Sequence, residues 1–122
     1  MAEQVLSFRV WWDEAASIVN VEWLPGVTVD LAAAQAATRA VRALDKGPVP
    51  MLVDTRGMKV FERSARAYFL EDQAGAAAMA LLASSAVSRM IANFFIGMQR
   101  QPMPVRMFTD RESAVAWLHE RR

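Results

Sequence analysis

A chain of 122 residues is long enough to bury a real hydrophobic core and is most simply read as one domain, residues 1–122. Its 14 basic and 13 acidic side chains leave a formal net charge of +1, so no strong field argues for nucleic acid as a partner. Cysteine is absent, which excludes disulfides and thiolate metal sites and fits a reducing cytoplasm.

The apolar fraction is 54 %, raised largely by Ala, Met and Val, and points to tight packing, a buried oligomer interface, or both. The first residues, MAEQVLSFRVWW, carry Glu3 and lack an apolar core behind a basic start, so they do not read as a signal peptide. Residues Val5 to Trp12 alternate, with Leu6, Phe8, Val10 and Trp12 opposed by Val5, Ser7, Arg9 and Trp11. A period of two predicts a half-buried strand. A tight turn at Asp13 to Ala16 leads to a second alternation, Val19, Val21 and Trp23 against Ile18, Asn20 and Glu22, and the pair reads as a hairpin. Pro25-Gly26 breaks it.

Thr28 or Asp30 is suited to cap a helix running to about Leu44, with Leu31, Ala34, Thr38, Val41 and Leu44 on one face. Gln35, Arg39 and Arg42 lie toward the other, and Gly47-Pro48 ends the unit. The short apolar run Met51 to Val53 stops abruptly at Asp54, Thr55, Arg56 and Gly57, as a buried parallel strand feeding a loop would. A basic loop and a helix from about Glu62 to Gln73 follow, with Ala65, Tyr68, Phe69 and Asp72 along one side.

Ala77 to Ala83 is apolar on both faces, which predicts a central strand covered on both sides. Ser84 or Ser85 is placed to cap the next helix, whose expected inner stripe is Val87, Met90, Ile91, Phe94, Phe95 and Met98. Ile96 falls roughly opposite. Pro102 and Pro104 stop that helix. Ser84, Ser85, Ser88, Arg89 and Asn93 interrupt the apolar stretch Ala74 to Met98, so it is not read as a membrane span. Val105 to Phe108 is a short strand, Thr109 and Glu112 have capping-box spacing, and the last helix buries Ala114, Val115, Trp117 and Leu118. The expected fold is α/β: an N-terminal β-hairpin, a helix, then three β-α units. They form a mixed, mostly parallel five-stranded sheet flanked by four helices.

Strand order, the VDTRG turn after the third strand and the ending PVRMFTDRESAVAWL are similar to the STAS domain. This is the SpoIIAA-like fold of anti-sigma factor antagonists, related to Sec14 lipid-transfer domains. The resemblance covers nearly the whole chain and implies binding rather than catalysis. In that family a phosphorylatable serine begins the helix after the third strand. Within FERSAR only Ser64 corresponds, with Glu62-Arg63 in place of the small polar turn and Ala65 in place of a glycine.

Read residue by residue, catalysis has little to work with. The single histidine, His119, falls in the last helical turn, where a cation suits the helix dipole. Asp54 is either a carboxylate base or a turn former that bonds nearby amides. Arg56, Lys59, Arg63 and Arg66 make either an anion site with the helix start or a solvated face paired with Glu62 or Glu71. Trp11 and Trp12 point to opposite sides of their strand, so one anchors an interface or lies under a covering helix. Met90, Phe94, Phe95 and Met98 read as core or, on the Sec14 relationship, as the wall of a lipid site.

The expectation is a cytoplasmic, non-enzymatic regulatory module without cofactor or metal. It would bind a protein partner, or a second copy of itself, through Asp54, Thr55, Arg56, Lys59, Arg63, Ser64 and Arg66. Trp11, Phe95, Ile96 and Met98 are the candidates for a dimer or apolar-ligand surface. The alternative is a carrier or sensor of a small apolar or phosphorylated ligand. A monomer with uncovered apolar faces would expose more than soluble monomers tolerate, hence the expected homodimer.

Overall fold

The computed structural model describes residues 7–97 and 103–121. Val5, Leu6, Met98 and Pro102 lie outside them. The hairpin is β1 (Phe8–Asp13) and β2 (Ile18–Trp23), paired antiparallel with Trp11 opposite Asn20 and Arg9 opposite Glu22. Then come β3 (Val27–Val29), α1 (Leu31–Ala43), β4 (Pro50–Asp54), β5 (Met58–Phe61) and α2 (Arg63–Glu71). The chain continues through β6 (Ala78–Leu82), α3 (Ala86–Gly97), β7 (Val105–Phe108) and α4 (Arg111–His119). The main sheet has the order β1-β2-β4-β6-β7, and every pairing after the hairpin is parallel.

Two strands were not expected. β3 and β5 pair in parallel as a separate two-stranded sheet, so much of the basic loop after β4 is a strand. Runs this short, with Lys59 and Val60 both exposed, show no alternation to read. Gly57 makes the turn between β4 and β5 under the end of β2. A Cβ there would collide with the Trp23 carbonyl oxygen and lie 2.7 Å from the Leu24 carbonyl group.

Period-two alternation sends the β-strands' side chains into two cores. On one face Val19, Val21, Trp23, Met51, Val53 and Leu81 pack beneath α1, α2 and α3. On the other, Ile18, Leu52, Ala80 and Leu82 meet Ala114, Trp117 and Leu118 of α4. The all-apolar β6 is therefore covered on both faces within one chain, which removes one of the reasons for expecting a dimer. Phe61, Phe69, Phe94 and Phe95 interlock β5, α2 and α3, with contacting ring centroids 5.5–6.0 Å apart. Arg42 donates to both oxygens of Asp72 at 2.8 and 2.6 Å, clamping α1 to the end of α2. His119 Nε2 lies 3.0 Å from the Ala16 carbonyl and ties the end of α4 to the hairpin turn.

Helix ends refine the reading. Asp30, not Thr28, caps α1, accepting from the Ala33 amide at 2.8 Å. Asp110, not Thr109, caps α4 through the Ser113 amide, also at 2.8 Å. Leu31, expected on the inner face, is exposed at the first position of α1. At the start of α3, Ser85 Oγ accepts from the Ser88 amide while Ser88 Oγ accepts from the amides of Ser84 and Ser85. This network turns Ser88 inward, and α3 is rotated from the expected stripe: Ser88, Ile91 and Ala92 are buried, whereas Val87 and Met90 are exposed. Phe94 and Phe95 remain packed on the core. No described helix is long and apolar enough to cross a membrane.

Candidate functional site

The stretch after β4 divides between the two faces of the sheet. Asp54 Oδ1 accepts from the Arg56 amide at 3.0 Å and from Nε at 2.9 Å, and Oδ2 accepts from Nη2 at 2.8 Å. This is the turn-forming alternative for Asp54, reinforced by a bidentate ion pair that raises the Arg56 pKa still further. Thr55 is buried, its hydroxyl donating to the Leu82 carbonyl at 2.6 Å, and so presents no group to a partner.

Lys59, Arg63 and Ser64 are exposed on β5 and the first turn of α2, on the three-helix side. Among the described residues neither Lys59 nor Arg63 has an ion-pair partner, and Arg66 bonds the Phe61 carbonyl at 3.1 Å rather than Glu62 or Glu71. Glu62 occupies the N-cap of α2 without a side-chain hydrogen bond to it, so the first amides of the helix stay open beside Ser64.

The apolar candidates separate as well. Phe95 lines an interior cavity of about 50 Å³ between the sheet and α1–α3, with Trp23, Val53, Met58 and Phe69. Its polar neighbours are already bonded: the Thr38 hydroxyl donates to the Ala34 carbonyl, and the Gln73 amide to those of Phe69 and Leu70. Ile96 is exposed, and Met98 lies outside the described residues. Trp12 packs against the core with Lys46 Nζ 4.9 Å from its ring centroid, while Trp11 is 38 % exposed on the opposite face. One of the two tryptophans therefore does face away from the larger core.

A third place was not foreseen. On the α4 face, Trp11, Asn20, Glu22, Asp54, Arg56 and Arg111 line a groove of about 340 Å³. It lies at the edge of α4, which packs chiefly over β4, β6 and β7, beside the β1–β2 hairpin. Asn20 is 1 % exposed, and neither its Nδ2 nor its Oδ1 has a hydrogen-bond partner among the described residues. The sequence signal was there: one carboxamide in the otherwise apolar run IVNV of β2. No cluster of three or more His, Cys, Asp or Glu suited to a metal occurs among the described residues.

The architecture matches the crystal structure of an uncharacterised protein from Shewanella loihica PV-4, a DUF3478-family protein with a SpoIIAA-like fold. The TM-score is 0.68, with 12 % identity over 97 % of this chain and 98 % of that one. A protein of unknown function from Arthrobacter sp. FB24 is 28 % identical over 97 % of this chain and 96 % of its own, with a TM-score of 0.34. A search of curated proteins finds no match. The fold is thus SpoIIAA-like, a mixed and mostly parallel α/β sheet with helices on both faces. Residues 10–122 match the model of the family described as a domain of unknown function, DUF7793, and the chain belongs to that family.

Proposed function

We propose that the domain is a STAS-type regulatory module that binds a protein partner, without catalysis, through the surface formed by β5 and the first turn of α2. The observation that carries this reading is the unpaired cation cluster. Lys59 and Arg63 stand exposed beside Val60, itself 43 % exposed, at a helix start whose amides have no side-chain cap. Cations that no described residue pairs, an apolar contact and a helix start without a side-chain cap together suit an acidic partner surface. Ser64 sits in the same turn, where a phosphate of charge about −2 would meet both the helix dipole and the cations.

The carrier alternative has less room. An interior void of about 50 Å³ is roughly a third of the ~150 Å³ cavity that takes up benzene in a well-studied case. An acyl chain would require α1–α3 to part. Self-association retains two supports, Trp11 and Ile96, but these lie on opposite sides of the sheet and define two separate candidate two-fold surfaces.

The test is affinity capture from a lysate of the source organism, comparing the natural chain with a Lys59→Glu/Arg63→Glu double variant. A partner held by the first and lost by the second is the expected result. The same partners at the same yield on both would overturn the assigned surface.

A further inference from the structure

We propose that the groove on the α4 face binds a small, uncharged, planar heterocycle whose edge carries an N–H next to a C=O, pairing with Asn20 and stacking on Trp11. The starting point is Asn20. It sits in the middle of β2, 1 % exposed, across the ladder from Trp11 on one side and Leu52 on the other. Its carboxamide has two donor hydrogens and an acceptor oxygen, none met by the described residues; both polar atoms are closed to solvent, so a ligand pairs with them only once the groove side chains above them shift. A buried amide left unpaired loses its hydration without replacement, and in folded proteins such groups are completed by something.

No neighbouring side chain among the described residues completes it. Asp54 is taken by Arg56, the Thr55 hydroxyl by Leu82, and Arg111 leans toward Asp13 at 3.5 Å. An apolar residue would fill this position without that penalty, as Ile18 does two residues earlier on the same face. The strand therefore carries a hydrogen-bonding group at a place where folding alone gains nothing from one.

The surroundings define the ligand. A carboxamide presents a donor and an acceptor side by side, and its complement is a ring edge with the same pair reversed, giving two parallel hydrogen bonds. The exposed Trp11 supplies a flat apolar wall of the kind on which planar rings stack. Charge in and beside the groove is balanced, Arg56 with Asp54, Arg111 with Asp13 and Arg9 with Glu22, so neither an anion nor a cation is favoured. A volume of about 340 Å³ admits one such ring but no long chain.

The experiment is a titration of isotope-labelled full-length protein with uracil and with hypoxanthine, read at the Asn20 side-chain amide and the Trp11 indole by NMR. 1,3-Dimethyluracil, which has the same shape and no N–H, is the control. Saturable shifts at both side chains with uracil or hypoxanthine, and none with the control, are expected. Asn20→Leu should abolish them while raising Tm, and Trp11→Ala should weaken binding about tenfold. No response to either probe at millimolar concentration would overturn the site, as would equal binding of the methylated control. A lower Tm for Asn20→Leu would also overturn it, by assigning the amide to a structural water. Because Asn20 and the Lys59–Arg63 surface lie on opposite faces, Asn20→Leu should leave partner capture unchanged, so the two proposals fail independently.

Discussion

The two faces of the central sheet are built to different standards of closure. Beneath α1, α2 and α3 the aromatic cluster interlocks, the polar groups beside the small cavity are hydrogen-bonded, and the helices are clamped by Arg42–Asp72. The α4 side, beyond the helix, holds a carboxamide without a partner among the described residues, an exposed tryptophan and ion pairs. A domain of this size needs one fully packed face to be stable at all. The second face is then free to keep groups that packing alone would not select. In this molecule, one side of the sheet is closed by apolar packing, and the other keeps a buried carboxamide that packing alone does not select.

Adjacent residues of β6 give the sharpest way to break that comparison. Leu81 points to the three-helix core and Leu82 to the α4 side, and both are at most 1 % exposed. Leu81→Ala should cost about 4 kcal/mol, because the lost side chain enlarges the apolar cavity it already lines. Leu82→Ala should cost about 3 kcal/mol, since the new space opens toward a groove that water can enter. Urea denaturation measures both. Benzene or xenon should raise the Tm of Leu81→Ala and leave that of Leu82→Ala unchanged. Equal costs with no difference in gas binding would show the faces to be equally closed.

Next in size is Gly57, where the chain passes from the end of β4 to the small second sheet. A methyl group there meets backbone of Trp23 and Leu24, which has no rotamer to change, and the Gly57 carbonyl already accepts from the Gly26 amide at 2.8 Å. Gly57→Ala should cost about 1–3 kcal/mol through this overlap. Denaturation and a far-UV spectrum unchanged from the natural chain would mean the turn can shift, and would free β5 from its fixed place beside β3.

How much of this was legible depended on the length of each pattern. β1 and β2 alternate over six residues each, and Trp11 and Trp12 could be assigned to opposite sides from that period alone. The double-sided apolarity of β6 and the inward face of α4 were equally plain. β3 and β5 are three and four residues long, too short for a period to appear, and β5 exposes two consecutive residues. The rotation of α3 was hidden because a serine, Ser88, lies inward in place of Val87 and Met90. Hydrogen bonding at the helix start outweighed hydrophobic spacing. The candidate partner stretch was found as one run of sequence, whereas the turn at Arg56 and Gly57 sends its ends to opposite faces. Asn20 was visible only as a polar letter among valines. Whether a carboxamide is satisfied is a property of tertiary neighbours.

The Arg42–Asp72 clamp is a smaller test of the closed face. Hydrogen bonds from Arg42, with others from the Ala74 amide and the Tyr68 hydroxyl, hold the Asp72 pKa below its ordinary 3.8. A depressed carboxylate contributes stability that is complete above the unfolded value and is lost as pH falls through the folded one. Since Arg42 remains half exposed, Asp72→Asn should cost only about 1 kcal/mol near neutrality. Paired urea titrations across pH should show that difference shrinking below pH 3.8. A difference that stays constant into acid would mean the loss came from geometry at Ala74 and not from charge.

The smallest structural effect belongs to the surface proposed for the partner, and its smallness is the point of the test. Lys59, Arg63 and Ser64 are exposed, so Ser64→Asp should move stability by less than about 0.5 kcal/mol. Its sign should be favourable, because a carboxylate in the first turn of α2 meets the positive end of the helix and the neighbouring cations. The same substitution places a negative charge in the surface assigned to an acidic partner, so capture should fall while Tm holds or rises slightly. Incubation with source lysate and ATP followed by phosphosite mapping should find phosphate on Ser64. Absence of modification there, with capture indifferent to Ser64→Asp, would remove the switch. Because the residue carries so little of the fold, such a result could not be blamed on unfolding.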